Sequence, residues 1–170
     1  MSGEPYLSSE DSALLRSALG GRSGERCLEL GAGNGGTLVH LSARFRLVVG
    51  TDLVRPSMTD WKKAGANFIL ADCASCIRSG AFDLVAFNPP YVRAGVEDRA
   101  VDGGVDLEVP RRFLQEALRV ARDEVVFVLN DEADLQEFRD ICAGAGFGLR
   151  PVASRRMFFE ELTVFSAKRD

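Results

Sequence analysis

The sequence predicts an α/β fold built on a largely parallel sheet, with helices on both faces and an antiparallel hairpin at its C-terminal end. Three observations predict it. Apolar runs of strand length alternate with segments of helical period along most of the chain. A glycine-rich turn, Gly31-Ala32-Gly33-Asn34-Gly35-Gly36, joins the first of those runs to a helical segment. The last two runs follow one another with no crossover helix between them, so they pair antiparallel.

The elements follow in order. Ser8 and Ser9 precede Glu10 and Asp11, and then Leu14, Leu15, Ala18 and Leu19 recur at helical spacing, which reads as a capped amphipathic helix ended by Gly20-Gly21. Arg26–Leu30 is the first strand, Thr37–Arg44 the helix after the glycine turn, and Leu47–Thr51 the second strand, closed by Asp52. Pro56 opens a short helix through Ala64. Asn67–Leu70 and Phe82–Phe87 are the third and fourth strands, the latter running into Asn88-Pro89-Pro90-Tyr91. Val92–Asp106 carries three glycines, both signs of charge and no period, and reads as a long functional loop. Pro110 starts a helix to Arg122, Glu124–Leu129 is the fifth strand, Ala133–Ala143 a helix stopped by Gly144 and Gly146, and Phe147–Val152 and Leu162–Ala167 the final pair.

The 170 residues, 46% apolar and 27% charged, fit one soluble globular domain. No basic-then-apolar leader opens the sequence and no apolar run approaches the roughly 20 residues of a membrane helix, so the expected location is cytoplasmic. With 21 basic against 25 acidic residues the net charge is −4, which argues against a surface held to nucleic acid mainly through phosphates. Cys27, Cys73, Cys76 and Cys142 read as reduced thiols, and Cys73-x-x-Cys76 lacks the second ligand pair that a metal site needs. His40, on the first crossover helix, reads as structural. Arg111-Arg112 reads as a solvated doublet, and Arg155-Arg156 as part of the hairpin connection.

Three features carry chemistry. The glycine turn lets backbone approach a nucleotide-like ligand, and Glu29, just before it, suits a ligand with an ammonium group; on spacing alone, with Gly36 as third glycine, a dinucleotide remains open. Asp52 ends the second strand about 20 residues after the turn, where a carboxylate accepts from both ribose hydroxyls, and Asp72 ends the third strand on the same edge. At the end of the fourth strand, Pro89 and Pro90 remove two backbone donors and fix a carbonyl-rich turn. There the Asn88 side-chain oxygen and the Pro89 carbonyl can both accept from one NH₂ group, stabilising the positive charge that grows on its nitrogen as it attacks a methyl group. Tyr91 offers a ring to stack on a flat target.

These residues resemble a Rossmann-like class I S-adenosylmethionine-dependent methyltransferase, and among them the HemK-like protein-glutamine methyltransferases. The resemblance extends over nearly the whole chain: Glu10-Asp11-Ser12-Ala13-Leu14-Leu15, the glycine turn, Asp52, Asn88-Pro89-Pro90-Tyr91, Gly103-Gly104 with Glu108-Val109 at a spacing one residue short of the usual, Ser154-Arg155-Arg156 and Glu161-Leu162. It implies a seven-stranded sheet, with Asn67–Leu70 at its edge. S-adenosyl-L-methionine is the implied cofactor, held by Ser12, Glu29, Gly31, Gly33, Asp52, Leu53, Asp72, Cys73 and Asn88, with Asn88, Pro89, Pro90 and Tyr91 at the reacting group. The flanking motifs resemble the archaeal and eukaryotic branch, which methylates the glutamine of the GGQ motif in class I release factors. That branch implies a small zinc-binding activator as obligate partner in a heterodimer, the metal belonging to the partner. The helical substrate domain that precedes the bacterial type's catalytic domain has no counterpart in the sequence, an expectation that favours this short branch. The alternative with the same chemistry is methylation of an adenine amino group in DNA or RNA, which needs a base extruded onto Tyr91 and a surface for phosphates. From another class, a scaffolding domain that merely keeps the fold gives no reason for Glu29, Asp52 and the Asn88–Tyr91 turn to stand together.

Overall fold

The computed structural model describes residues 10–55, 61–62, 65–90, 107–156 and 160–169. In chain order they form α1 (Glu10–Ala18), a 3₁₀ turn (Leu19–Gly21), β1 (Gly24–Leu30), α2 (Gly36–Ser42), β2 (Phe45–Asp52), β3 (Asn67–Leu70) and β4 (Phe82–Phe87). Then come α3 (Glu108–Val120), β5 (Ala121–Asn130), α4 (Leu135–Gly144), β6 (Phe147–Arg156) and β7 (Glu161–Arg169). The strands make one seven-stranded sheet in the order β3-β2-β1-β4-β5-β7-β6. The first five in that order are mutually parallel, and β7 runs antiparallel to both β5 and β6.

Alternation along the central strands divides the core into two layers. Val85 and Phe87 of β4, and Val125, Phe127 and Leu129 of β5, face α3 and α4 together with Leu114, Leu118 and Phe138. Leu84 and Ala86, and Val126 and Val128, face the other side with Leu15 and Leu19 from the first helical segment, Leu38 and Leu41 of α2, and Trp61. On the first side Phe87 and Phe127 stack with centroids 5.0 Å apart and rings 4° from parallel. Phe113, Phe138 and Phe165 pack around this pair, so one aromatic group ties β4, β5, β7, α3 and α4 at the carboxyl half of the sheet.

β3 and β4 have the bounds their apolar runs predict, and the hairpin is antiparallel as expected. The other strands exceed their apolar runs. β5 starts at Ala121 and the pairing of β6 with β7 continues to Arg156 and Glu161, because ladder hydrogen bonds extend beyond the stretch that is buried. Arg155 and Arg156 are therefore the last residues of β6, paired with Leu162 and Glu161, and not part of the connection. α3 begins at Glu108, two residues before Pro110, after Leu107 at φ +59°. It stops at Val120 because β5 follows with no intervening loop. Ser8–Ser9, the Val92–Asp106 loop and most of the Pro56–Ala64 segment lie outside the described residues; Trp61 and Lys62 within that segment are helical.

Candidate active site

The carboxyl ends of the parallel strands collect the chemistry-bearing side chains on one edge. Between β1 and α2 the backbone turns through Gly31, Gly33 and Gly35 at φ +64°, +50° and +81°, a region that L side chains enter only with strain. Gly31 also has a neighbour: a Cβ there would meet the Phe113 ring of α3 at 3.2 Å. Trp61 supports the turn from below. Its ring fills the space over Gly50 of β2, where a Cβ would come within 2.3 Å of it, and its Nε1 donates to the Gly33 carbonyl at 3.3 Å.

Asp52 fastens the turn to β2. Its Oδ2 accepts the Gly33 N–H at 2.9 Å and its Oδ1 accepts the Val54 N–H at 2.9 Å, which leaves each oxygen a further lone pair. Leu53 beside it is 66% exposed at the same edge. Glu29, the penultimate residue of β1, is buried, and its Oε2 has no hydrogen-bond partner among the described residues. Burial pushes its carboxyl up to about 8, with the Asp52 charge adding to the rise; the Thr37 side chain, the Arg16 charge and the Leu38 N–H pull the other way. A buried carboxyl with one bare oxygen beside a glycine turn is able to accept a hydrogen bond from a cationic donor.

Asp72 and Cys73 follow β3. Arg112 of α3 grips the Asp72 carboxylate as a fork, Nη1 to Oδ2 at 2.9 Å and Nη2 to Oδ1 at 2.8 Å. Arg111 pairs with Glu137 of α4 at 3.0 Å. The doublet read as solvated is thus engaged on both sides, its partners brought by other elements. Cys73 has φ +47° and is buried, which pushes its thiol up to about 12, while Cys76 is exposed and without a pairing cysteine. No cluster that could hold a metal ion occurs among the described residues. His40 lies in the last turn of α2 with its Nε2 3.1 Å from Arg44 Nη1.

At the end of β4, Pro89 is buried and Asn88 half-buried, and Tyr91 lies outside the described residues. The Asn88 Nδ2 donates to Asp11 Oδ2 on α1 at 2.9 Å, and its Oδ1 is buried with no partner among the described residues. Ser12 follows Asp11 on α1, its N–H on Asp11 Oδ1 at 2.7 Å. The sequence reading missed Asp11, Arg112, Phe113 and Trp61. It also missed Asn130, the last residue of β5, which is buried and whose Oδ1 has no partner among the described residues. One signal was present: Asp11, Leu15 and Leu19 recur at four-residue spacing, so a carboxylate continues the apolar stripe of α1.

This strand order, the glycine turn after β1 and an acidic end to β2 are the architecture of class I S-adenosylmethionine-dependent methyltransferases. No protein-family model matches the chain. The Methanocaldococcus jannaschii protein named "Putative protein N5-glutamine methyltransferase" is 28% identical over 184 residues, covering 98% of this chain and 92% of its own. A chain of the solved E. cuniculi Mtq2–Trm112 complex, described as methylating the translation termination factor eRF1, superposes with a TM-score of 0.82 at 27% identity, over 97% of this chain and 98% of that one. Magnesium protoporphyrin IX methyltransferase from Synechocystis shares the fold at a TM-score of 0.67 and 15% identity, over 95% of this chain and 78% of that one. Both the M. jannaschii protein and the Mtq2 chain are similar to this chain over nearly its whole length.

Proposed function

We propose that the chain transfers a methyl group from S-adenosyl-L-methionine to the side-chain amide nitrogen of the glutamine in the GGQ motif of a class I release factor, and that its residues form one catalytic domain. The observation that carries the reading is Asn88, whose Oδ1 is buried with no partner among the described residues at the end of β4, directly before two prolines. Such an oxygen is preorganised to accept from an NH₂ group.

The residues present fit the cofactor. The bare, buried Oε2 of Glu29 suits its ammonium, and the remaining lone pairs of Asp52 suit the ribose diol. Gly31 and Gly33 leave backbone open to its approach, while Ser12, Leu53, Asp72 and Cys73 complete the pocket on either side. When bound, the cofactor supplies an electrophilic methyl carbon on a sulfonium. Asn88 and the Pro89 carbonyl hold the amide nitrogen in line and accept its two hydrogens, and Tyr91, next but one in sequence after Pro89, supplies a ring chemically suited to stack on an amide. As the nitrogen–carbon bond forms and the carbon–sulfur bond breaks, with its electron pair going to sulfur, the nitrogen becomes cationic and sheds one proton to solvent. Holding the reactants in line supplies much of the acceleration, and no strong base is needed.

A second chain is part of the proposal. The two edges of the sheet are guarded unequally. β6 carries Pro151, a register shift between Pro151 and Ala153, and Arg150, Arg155 and Arg156, which discourage pairing. β3, at the other edge, has no charge or proline in Asn67–Leu70, and its Leu70 is 62% exposed. Phe68 packs into the layer of Trp61 and Ile69 into the opposite layer, so the backbone edge itself is what β3 offers. A small activator protein that binds zinc within its own chain covers this edge by strand addition.

The reading is tested by labelled methyl transfer into a mixture of release factor and nucleic acid, with and without the small partner. Label in the release factor, dependent on the partner and abolished by Asn88→Ala, is the expected result. Label in nucleic acid, or full turnover by a folded Asn88→Ala protein, refutes it.

A further inference from the structure

The orientation of Asn88 is set from outside the Asn-Pro-Pro-Tyr turn. A carboxylate has lone pairs and no hydrogen, so the side of the Asn88 amide that faces Asp11 has to be its NH₂. The contact is direct, Nδ2 to Oδ2 at 2.9 Å. Asp11 is itself only 4% exposed, and its other oxygen is held by the Ser12 N–H at the first turn of α1. Leu15 and Leu19, one and two turns on, anchor this helical segment in the core layer that Leu84 and Ala86 of β4 also enter. The carboxylate is therefore fixed to the sheet by packing, and it fixes the amide. With Nδ2 committed to Asp11, Oδ1, on the other arm of the planar amide, is left buried with no partner among the described residues.

We propose that Asp11 is a positioning residue for methyl transfer: it locks the Asn88 amide with its oxygen toward the acceptor nitrogen and its NH₂ away from it. The inference rests on the functional reading above. Without this lock the amide rotates by half a turn at little cost, and the flipped form presents two donors to an NH₂ group, which binds the acceptor wrongly or not at all. A carboxylate in place of Asn88 presents an accepting oxygen either way round, but beside Asp11 it meets a like charge at hydrogen-bond distance. Exchanging the two side chains removes that repulsion and restores the donor–acceptor pairing with its direction reversed.

The test compares, for the full chain in the assembly that turns over release factor, the parent, Asp11→Ala, Asp11→Asn, Asn88→Asp and the exchange Asp11→Asn/Asn88→Asp. Asp11→Ala is expected to lower kcat by roughly 10- to 100-fold through misorientation, while affinity for S-adenosylhomocysteine stays at the parent value. The exchange is expected to exceed Asn88→Asp alone in kcat. Asp11→Asn keeps an accepting oxygen and is expected to lie between Asp11→Ala and the parent, which serves if Asp11→Ala does not fold. Amide NMR gives a readout that does not depend on turnover: the Asn88 side-chain NH₂ protons exchange slowly in the parent and faster in Asp11→Ala. Parent kcat in folded Asp11→Ala, an exchange variant no better than Asn88→Asp, or Asn88 NH₂ signals unmoved by Asp11→Ala overturns the proposal. Full turnover by Asn88→Ala instead refutes the functional reading on which it rests, and the NMR comparison still decides the Asp11–Asn88 pairing.

Discussion

Glu29 is a carboxyl group that the fold buries, and its Oε2 has no hydrogen-bond partner among the described residues. Its carboxyl rises from 4.5 to about 8, so the folded protein holds a proton there that the unfolded chain gives up at lower pH. The stability this proton contributes is fully present below 4.5 and is lost as pH climbs through about 8. An ammonium brought against the bare oxygen favours the ionised form. Cofactor binding is therefore expected to release a proton below about pH 8, and affinity to increase with pH toward that value. Calorimetry in buffers of different ionisation enthalpy measures this; Glu29→Gln should abolish the proton release, and a proton count of zero in the parent contradicts the role. For Asp52→Ala, loss of charge-assisted hydrogen bonds should weaken cofactor binding by about 1.5–3 kcal/mol, read as a rise in Kd. Equal affinity for parent and variant would contradict it. These residues were legible because each ends a strand beside a recognisable turn. Asp11, Arg112 and Phe113 were not, because helices from elsewhere in the chain carry them to the edge, and no local pattern encodes which strand end a helical side chain will meet.

At the scale of elements, β3 is the most exposed commitment. Coexpression of the chain with its proposed small partner should give a soluble pair, and Leu70→Pro, which removes a donor from the free edge of β3 because Ala71 one residue on donates to Asp52 of β2, should prevent it more effectively than Leu70→Ala. Pair formation by Leu70→Pro would show that the partner binds elsewhere. β3 and β4 were readable residue for residue because each apolar run is bounded by a turn or a proline, at Gly65-Ala66, Ala71-Asp72 and Asn88-Pro89. β6 was read short because its distal half is exposed and polar, held by pairing to β7 and not by burial. The aromatic group at the site's back wall is an element-scale feature in the same sense: Phe127 touches Phe87, Phe138 and Phe165, which come from three other elements. Phe127→Ala should cost about 3–5 kcal/mol in chemical denaturation. A loss under 1 kcal/mol, well below the range for a buried phenylalanine, would mean that the wall repacks around the gap.

For the whole molecule, the sheet order places the glycine turn, Asp52, Asp72 and Asn88 on the carboxyl edge of four adjacent strands and leaves β3 open at one side. β3 ends beside Asp52, at the register Asp52 to Leu70, so a chain laid on β3 also borders the proposed cofactor pocket. A partner there would be expected to raise cofactor affinity as well as solubility. The central claim concerns the atom that is methylated. Its most direct measurement is tandem mass spectrometry of release factor after reaction with the chain, its partner and S-adenosylmethionine carrying a labelled methyl group. The account predicts one labelled methyl on the side-chain amide nitrogen of the GGQ glutamine, absent with Asn88→Ala. Label on any other side chain of the release factor, or on adenine when nucleic acid is supplied instead, contradicts it.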